Sequence, residues 1–290
     1  MKKVLFLGML SLGLFASAQQ TANRFFYEMT YKPKKAVDSL DKEMMVLDIT
    51  KDKSLYRDYM SVSQDSIMKA SIEKMQKSGT FDPDFQKKMK QPKISYQIIK
   101  EYPSMKIQYV EMIMNMMKPM YISYTEDLPL AWKIQNESEK IGEYNTQKAT
   151  LEYGGRKWTA WFSTDIPFQD GPYKFKGLPG LIVKIQDDGN NYSWVLKGNK
   201  KVEDFKEKTY AEELAGLGTP QDLSKEKFYK TFNAYKKDPF GSMRQFLTPD
   251  VMKQKMPGTN KTMGDYIKEN EKQLDKLYNG TDNPIELNSL

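Results

Sequence analysis

Four aspartates bracket one long irregular connection: Asp165 and Asp170 lie inside it, and Asp187 and Asp188 follow the strand that leaves it. Two carboxylates facing each other across a cleft are the equipment of a glycosidase-type hydrolase, one serving as acid and the other as base or nucleophile. Aspartate beside Pro167, Gly171 or Gly189 also does ordinary turn work, accepting hydrogen bonds from nearby backbone N–H groups. Composition removes most other chemistry. The 290 residues include no histidine and no cysteine. Ser-His-Asp hydrolysis, imidazole general-base catalysis and histidine-built zinc sites are therefore excluded, as are thiol nucleophiles, thiolate metal sites and redox disulfides. A P-loop and a G-x-G-x-x-G fingerprint are missing too. No cofactor is expected, and no residue is assigned a catalytic or metal-ligating role.

Sulfur is present only as thioether. Met105, Met112, Met114, Met116, Met117 and Met120 crowd into sixteen residues. On a strand, Met112, Met114 and Met116 share a face, and thioethers select soft cations such as Cu(I) or Ag(I). Methionine also fills cores and lines greasy contact surfaces, and core is the expectation here. Trp132, Trp158, Trp161 and Trp194 pose a similar choice between carbohydrate platform and core. Their spread over several strands favours core.

The elements that must position these groups follow from periodicity. Strands are expected over 25–31, 46–49, 55–59, 94–100, 105–113 and 120–124, interrupted by a helical insertion near 63–78 with Ser63 as N-cap and Gly79 and Pro83 closing it. Residues 149–153 and 157–162 flank Gly154-Gly155, a two-glycine hairpin turn whose central positions favour positive φ. Strands over 181–186 and 192–197 follow. After Glu203 the pattern turns helical, with Phe228, Phe232 and Tyr235 behind Ser224, and Thr262 with Asp265 forming a capping box. The expected class is α+β: a curved antiparallel β-sheet or partial barrel with a helical insertion and C-terminal helices, residues 19–203 mainly β and 204–290 a mainly helical tail of one domain.

The stretch "KFKGLPGLIVKIQ" at 174–186 feeds one of those strands. Leu178-Pro179-Gly180-Leu181 fits a type II turn, with Pro at the second position and a positive-φ Gly at the third. Leu181, Val183 and Ile185 should then face one side and Ile182, Lys184 and Gln186 the other. The connection before it, from Phe162 to Leu181, is longer than usual. Such loops are packed lids or binding elements, and Arg156, Asp165, Asp170, Tyr173, Lys174, Phe175 and Leu178 are the candidate ligand- or partner-binding residues.

Residues 1–18, "MKKVLFLGMLSLGLFASA", have two lysines, an apolar run and an A-x-A ending, the layout of a cleavable secretory leader. The apolar run is too short to span a membrane, no later segment comes closer, and no transmembrane segment is expected. The formal net charge of +7 includes Lys2 and Lys3 of that leader. The remaining lysines are scattered rather than striped, which points to a solvated surface and not to nucleic acid.

"GRKWTAWFSTDIPFQDGPYKFKGLPGLIVKIQD", residues 155–187, resembles the signature of the GLPGLI family, exported proteins of Gram-negative bacteria named after the hexapeptide Gly177-Leu178-Pro179-Gly180-Leu181-Ile182. Gly155-Arg156, Ala160-Trp161, Ile166-Pro167 and Gly171-Pro172 fit it. So do Tyr27 and Tyr31, Lys148-Ala149-Thr150 and the terminal Asn283-Pro284-Ile285-Glu286-Leu287. Many members carry a cysteine near position 146, where this chain has threonine. The resemblance implies an envelope protein, periplasmic or secreted, associated with TonB-dependent outer-membrane receptor systems. It assigns no activity. The reading is a non-catalytic protein that binds an envelope protein partner or an apolar or glycan small molecule; the alternative is a carboxylate-dependent hydrolase.

Overall fold

The structure, a computed structural model, describes residues 20–79, 89–90, 92–116, 118–256 and 259–288. The expected leader at 1–18, Pro83 and Met117 lie outside them.

Among the described residues, one sheet collects twelve strands: β1 (Ala22–Tyr31), β2 (Asp41–Ile49), β3 (Lys53–Asp58), β4 (Gln97–Glu101), β5 (Lys106–Asn115), β6 (Lys118–Glu126), β7 (Lys133–Ile141), β8 (Tyr144–Tyr153), β9 (Arg156–Ser163), β10 (Leu181–Asp187), β11 (Tyr192–Val202) and β12 (Gln221–Asp222). Their order is β12-β6-β5-β4-β3-β2-β1-β11-β10-β9-β8-β7. Two antiparallel meanders therefore meet at β1 and β11, and the short β12 adds parallel to β6. Strands β6 and β7 stand ten places apart in that order. In a flat sheet ten spacings of about 4.8 Å would separate them by roughly 48 Å. The link between them, Asp127 to Trp132, reaches at most about 25 Å when fully extended. The sheet must curl, and it does so without closing, because β7 pairs only with β8.

Alternation along the strands fills the interior. Tyr27, Tyr56, Ile98, Ile107, Trp158, Phe162, Ile185 and Trp194 are buried in one continuous cluster. The Gly154-Gly155 turn has φ of 62° and 78°, as expected of a two-residue hairpin. Strand β7 had no counterpart in the sequence reading. Its segment, "KIQNESEKI", lies at an edge with most side chains in water, so no apolar period marks it.

Three local expectations are corrected. The helical insertion is two helices, α1 (Tyr59–Ser63) and α2 (Asp65–Ser78), and its N-cap is Asp58, whose carboxylate accepts from the Met60 N–H at 2.7 Å; Ser63 ends α1 instead. Gly79 closes α2 in the left-handed region as expected. Gly180 does not carry the positive φ of a type II turn; that conformation falls to Gly177, at 89°. Gly180 is required by crowding, since a Cβ there would stand 2.1 Å from the Ser163 carbonyl oxygen. Finally, a β-bulge between Ile182 and Lys184 resets the alternation of β10, so Ile182 and Val183 are both buried instead of facing opposite ways.

After β11 come α3 (Tyr210–Leu214), α4 (Lys225–Lys237), a 3-10 turn (Gly241–Phe246), α5 (Pro249–Lys253) and α6 (Met263–Asn279). The Ser224 cap and the Thr262/Asp265 capping box form as the sequence predicts. Phe228, Phe232 and Tyr235 of α4 pack on Ile113, Ile122 and Tyr124 of β5 and β6. Full burial of Phe228 alone contributes about 2–3 kcal/mol. The chain then leaves α6 as an irregular strap, 281–288, that crosses the β8–β9 turn, with Leu287 N–H donating to the Gly154 carbonyl at 2.7 Å.

Candidate functional site

The long connection between β9 and β10 enters the curl as a plug. Asp170, Tyr173, Lys174, Phe175 and Leu178 are all buried, and Arg156 nearly so; of the sequence candidates, Asp165 alone is exposed. Phe175 sits among Trp158, Trp194, Tyr153 and Trp132, with ring centroids 4.8 to 6.2 Å away. Tyr173 takes φ of 53°, a conformation few non-glycine residues adopt, and its hydroxyl donates to Glu286 at 2.5 Å.

Two ionic centres fix the plug, and a third ties the strap to the sheet beside it. Lys174, fully buried, donates to Glu126 at 2.7 Å and to the Tyr124 hydroxyl at 2.8 Å, lies 2.6 Å from Glu286, and stands over the rings of Tyr109, Tyr124 and Tyr173 at 5.2 to 5.6 Å. Burial disfavours the Glu286 charge, but the Lys174 ammonium together with the Tyr173 and Tyr153 hydroxyls outweighs it and holds that carboxyl below its ordinary value. Lys100 on β4 contacts the Asp170 carboxylate and donates to the carbonyls of Gly171 at 2.7 Å and Phe175 at 3.3 Å. Arg156 uses its whole fork: Nη1 to Asp187 at 2.9 Å, Nη2 to Asn283 at 2.7 Å and to the Pro284 carbonyl at 2.8 Å, and Nε to the Ile285 carbonyl at 3.0 Å. The four aspartates of the sequence reading therefore do not converge on a cleft. Asp170 also accepts from Ser54, Tyr102 and the Gly171 N–H, and Asp187 from the backbone of Asn191 and Tyr192.

An open cavity lies elsewhere, at the end of β5. Its volume is 450 Å³, and it is walled by α1, α2, α3, the 3-10 turn and α6. Six thioethers line it: Met112, Met114 and Met116 from one strand end, and Met68, Met89 and Met243 from segments far apart in sequence. With 19 methionines in 290 residues, thirty lining residues drawn at random would hold about two, so the enrichment is real. Leu274, Leu277 and Tyr278 of α6 add apolar wall. Its carboxylates are engaged locally. Asp58 caps α1, Asp65 accepts from the Tyr210 N–H at 2.5 Å, and Glu212 accepts from Tyr121, Gln97 and the Thr209 N–H. A second groove, of 370 Å³, runs along the β7–β8 hairpin and is lined by polar residues such as Ser138, Asn145, Gln147 and Thr164. Among the described residues no group of three or more acidic side chains is arranged to hold a metal ion.

Sequence reasoning singled out the methionines of β5 but not their distant partners, which carry no local signal. It also passed over Glu111, an acid inside the apolar run "YVEMIM". Glu111 is buried beneath α4, and burial pushes its carboxyl up to about 8 against the smaller opposing effects of Ser95, Tyr109 and Lys236.

The family described as "Protein of unknown function (Porph_ging)" matches residues 152–184, which take in the β8–β9 turn, the plug and the start of β10. No curated protein matches. The chain is similar to two solved structures of PNGF-II. The C2 crystal form gives a TM-score of 0.49 at 13% identity, over 73% of this chain and 32% of that one. The P21 form gives 0.46 at 14% identity, over 77% and 34%. The chain thus spans about a third of the length of those proteins.

Proposed function

We propose that this chain is a non-catalytic envelope protein that binds an apolar small molecule in the methionine-lined cavity. The observation that carries the reading is a contrast. The concave interior is filled by the chain's own plug, with its buried ammonium and guanidinium groups answered internally, whereas the 450 Å³ cavity at the end of β5 stays open and is walled by thioethers, leucines and aromatic rings. That volume falls in the range of small-molecule pockets. Thioethers adapt their shape to irregular apolar ligands. A glycan is a poorer fit, since Trp158 and Trp194 are spent on the core. A hydrolase is disfavoured, because Asp170 and Asp187 are locked into internal pairs away from the cavity.

Residence in the envelope is supported by the leader-like 1–18 and by the GLPGLI resemblance, whose hexapeptide lies within the matched segment. Among the described residues no helix is long and apolar enough to cross a membrane. Association with TonB-dependent uptake follows from the resemblance, and the ligand would then be cargo or signal for that system.

The test is displacement of an environment-sensitive apolar fluorophore, anilinonaphthalene sulfonate, together with native mass spectrometry of protein purified from its own envelope. Binding that weakens at least tenfold in Met114→Asp, with the fold intact by circular dichroism, supports the cavity. Equal binding by both proteins removes it. Co-purification of a protein in place of a small molecule would replace the proposed ligand by a partner.

A further inference from the structure

Lys100 and Asp170 are among the most deeply buried charged residues of the chain, at 0% and 1% exposure, and they tie β4 to the plug. Their surroundings are more specific than an ion pair needs. Two backbone carbonyls, of Gly171 and Phe175, take hydrogens of the Lys100 amine, which leaves its remaining direction aimed at Asp170 Oδ1. On the far side of the carboxyl, Oδ2 accepts from the Ser54 hydroxyl at 2.6 Å and from the Tyr102 hydroxyl. The carboxyl carbon is one bond beyond Oδ1, so the same contact sets the nitrogen beside it. Water is excluded from both partners. We infer that Lys100 and Asp170 are the site of a self-formed amide cross-link between the β4 side chain and the plug.

The step balances with no outside reagent. One proton passes from the ammonium to Oδ1 along their contact, turning the ion pair into an amine and a carboxylic acid. Burial favours that exchange, since it holds the Lys100 amine below its ordinary proton affinity. The nitrogen lone pair then forms a bond to Cγ, and the C=O electron pair moves onto Oδ2, where the Ser54 and Tyr102 hydroxyls stabilise the developing charge. On collapse, Oδ2 recovers its double bond, the C–Oδ1 bond breaks, and a second proton from nitrogen leaves with Oδ1 as water. The one hydrogen left on nitrogen stays bonded to a backbone carbonyl. Ser54 and Tyr102 are positioning residues in this scheme; Lys100 and Asp170 are the reacting groups. The product would restrain the unfolded chain as a disulfide does, in a sequence with no cysteine to make one.

Intact mass of the purified protein decides the matter. The expected value is the sequence mass less one water. Trypsin should fail to cut after Lys100 and should release a branched peptide joining 94–106 to 158–174. Lys100→Arg should restore the full sequence mass, and Asp170→Asn should give the same branched product with loss of ammonia instead of water. A wild-type protein that keeps its full mass after prolonged warming, with normal cleavage after Lys100, overturns the inference, as does a branch mapped to Lys174 or to Lys225. Because the wild-type mass is itself decisive, a variant that fails to fold leaves the conclusion intact.

Discussion

Arg156 at the start of β9, beside the β8–β9 turn, and Asn283 in the terminal strap, 127 residues apart in sequence, are joined by a 2.7 Å hydrogen bond. The same guanidinium holds Asp187 and two strap carbonyls, and the strap in turn presents Glu286 to Lys174. The turn, the strap and the plug are therefore one electrostatic unit.

Arg156→Lys keeps the charge but gives up the planar fork, and with three donors in place of five it cannot keep all four bonds. The expected loss of stability is about 2 kcal/mol, the scale of a lost hydrogen bond to a charged group. Deleting the strap from Thr281 onward should cost a similar amount. Chemical denaturation midpoints check both, and midpoints that match the wild type would show that the strap merely rests on the surface.

Two glycines of the hexapeptide should respond differently to alanine. At Gly180 the new methyl would collide with the Ser163 carbonyl, which belongs to a sheet strand and has little room to yield. A loss of about 3 kcal/mol is expected. At Gly177 nothing lies within 4 Å of an added Cβ, and the cost is the strain of a φ of 89°, about 1 kcal/mol. Thermal unfolding of the two single variants tests the order; equal melting temperatures would contradict it.

Glu111 sets a pH dependence whose sign is fixed. Its folded value, about 8, lies above the ordinary 4.5. Below about 4.5 both folded and unfolded chains hold the proton, and the contribution to stability is fully present. As pH rises towards 8 the unfolded chain ionises while the folded one does not, and that stability drains away by a few kcal/mol before levelling off. Glu111→Gln should flatten this part of the stability–pH curve and raise the melting temperature at pH 8. A variant whose curve parallels the wild type between pH 5 and 8 counts against the assignment.

The α+β class and most strands were legible because they rest on local alternation, and the caps at Ser224 and Thr262 because a cap is a short-range hydrogen bond. What failed was decided by distant atoms. Gly180 fits a type II turn on sequence grounds, yet its need for glycine comes from Ser163 across the sheet. The bulge at Val183 is likewise invisible without β9 alongside. At the candidate site, the spacing of Met112, Met114 and Met116 is conspicuous but the expectation is core, and Met112 and Met116 are instead exposed, Met116 in the turn after β5 with φ of 49°; Met68, Met89 and Met243 join them only through the fold. Lys174 was chosen as a residue to meet an acidic ligand; the acids it meets are Glu126 and Glu286 of its own chain.

The seam between β1 and β11 bears on how the molecule comes into being. Ala22 lies opposite Val202, so the first strand waits for some 180 residues of chain before it gains its second neighbour. Each meander can zip hairpin by hairpin from nearby segments, but the seam is a long-range closure, the kind that slows folding most. Until it forms, β1 and β11 each present an unpaired backbone edge, and the interval before docking is when the nascent chain is most open to mispairing with its neighbours.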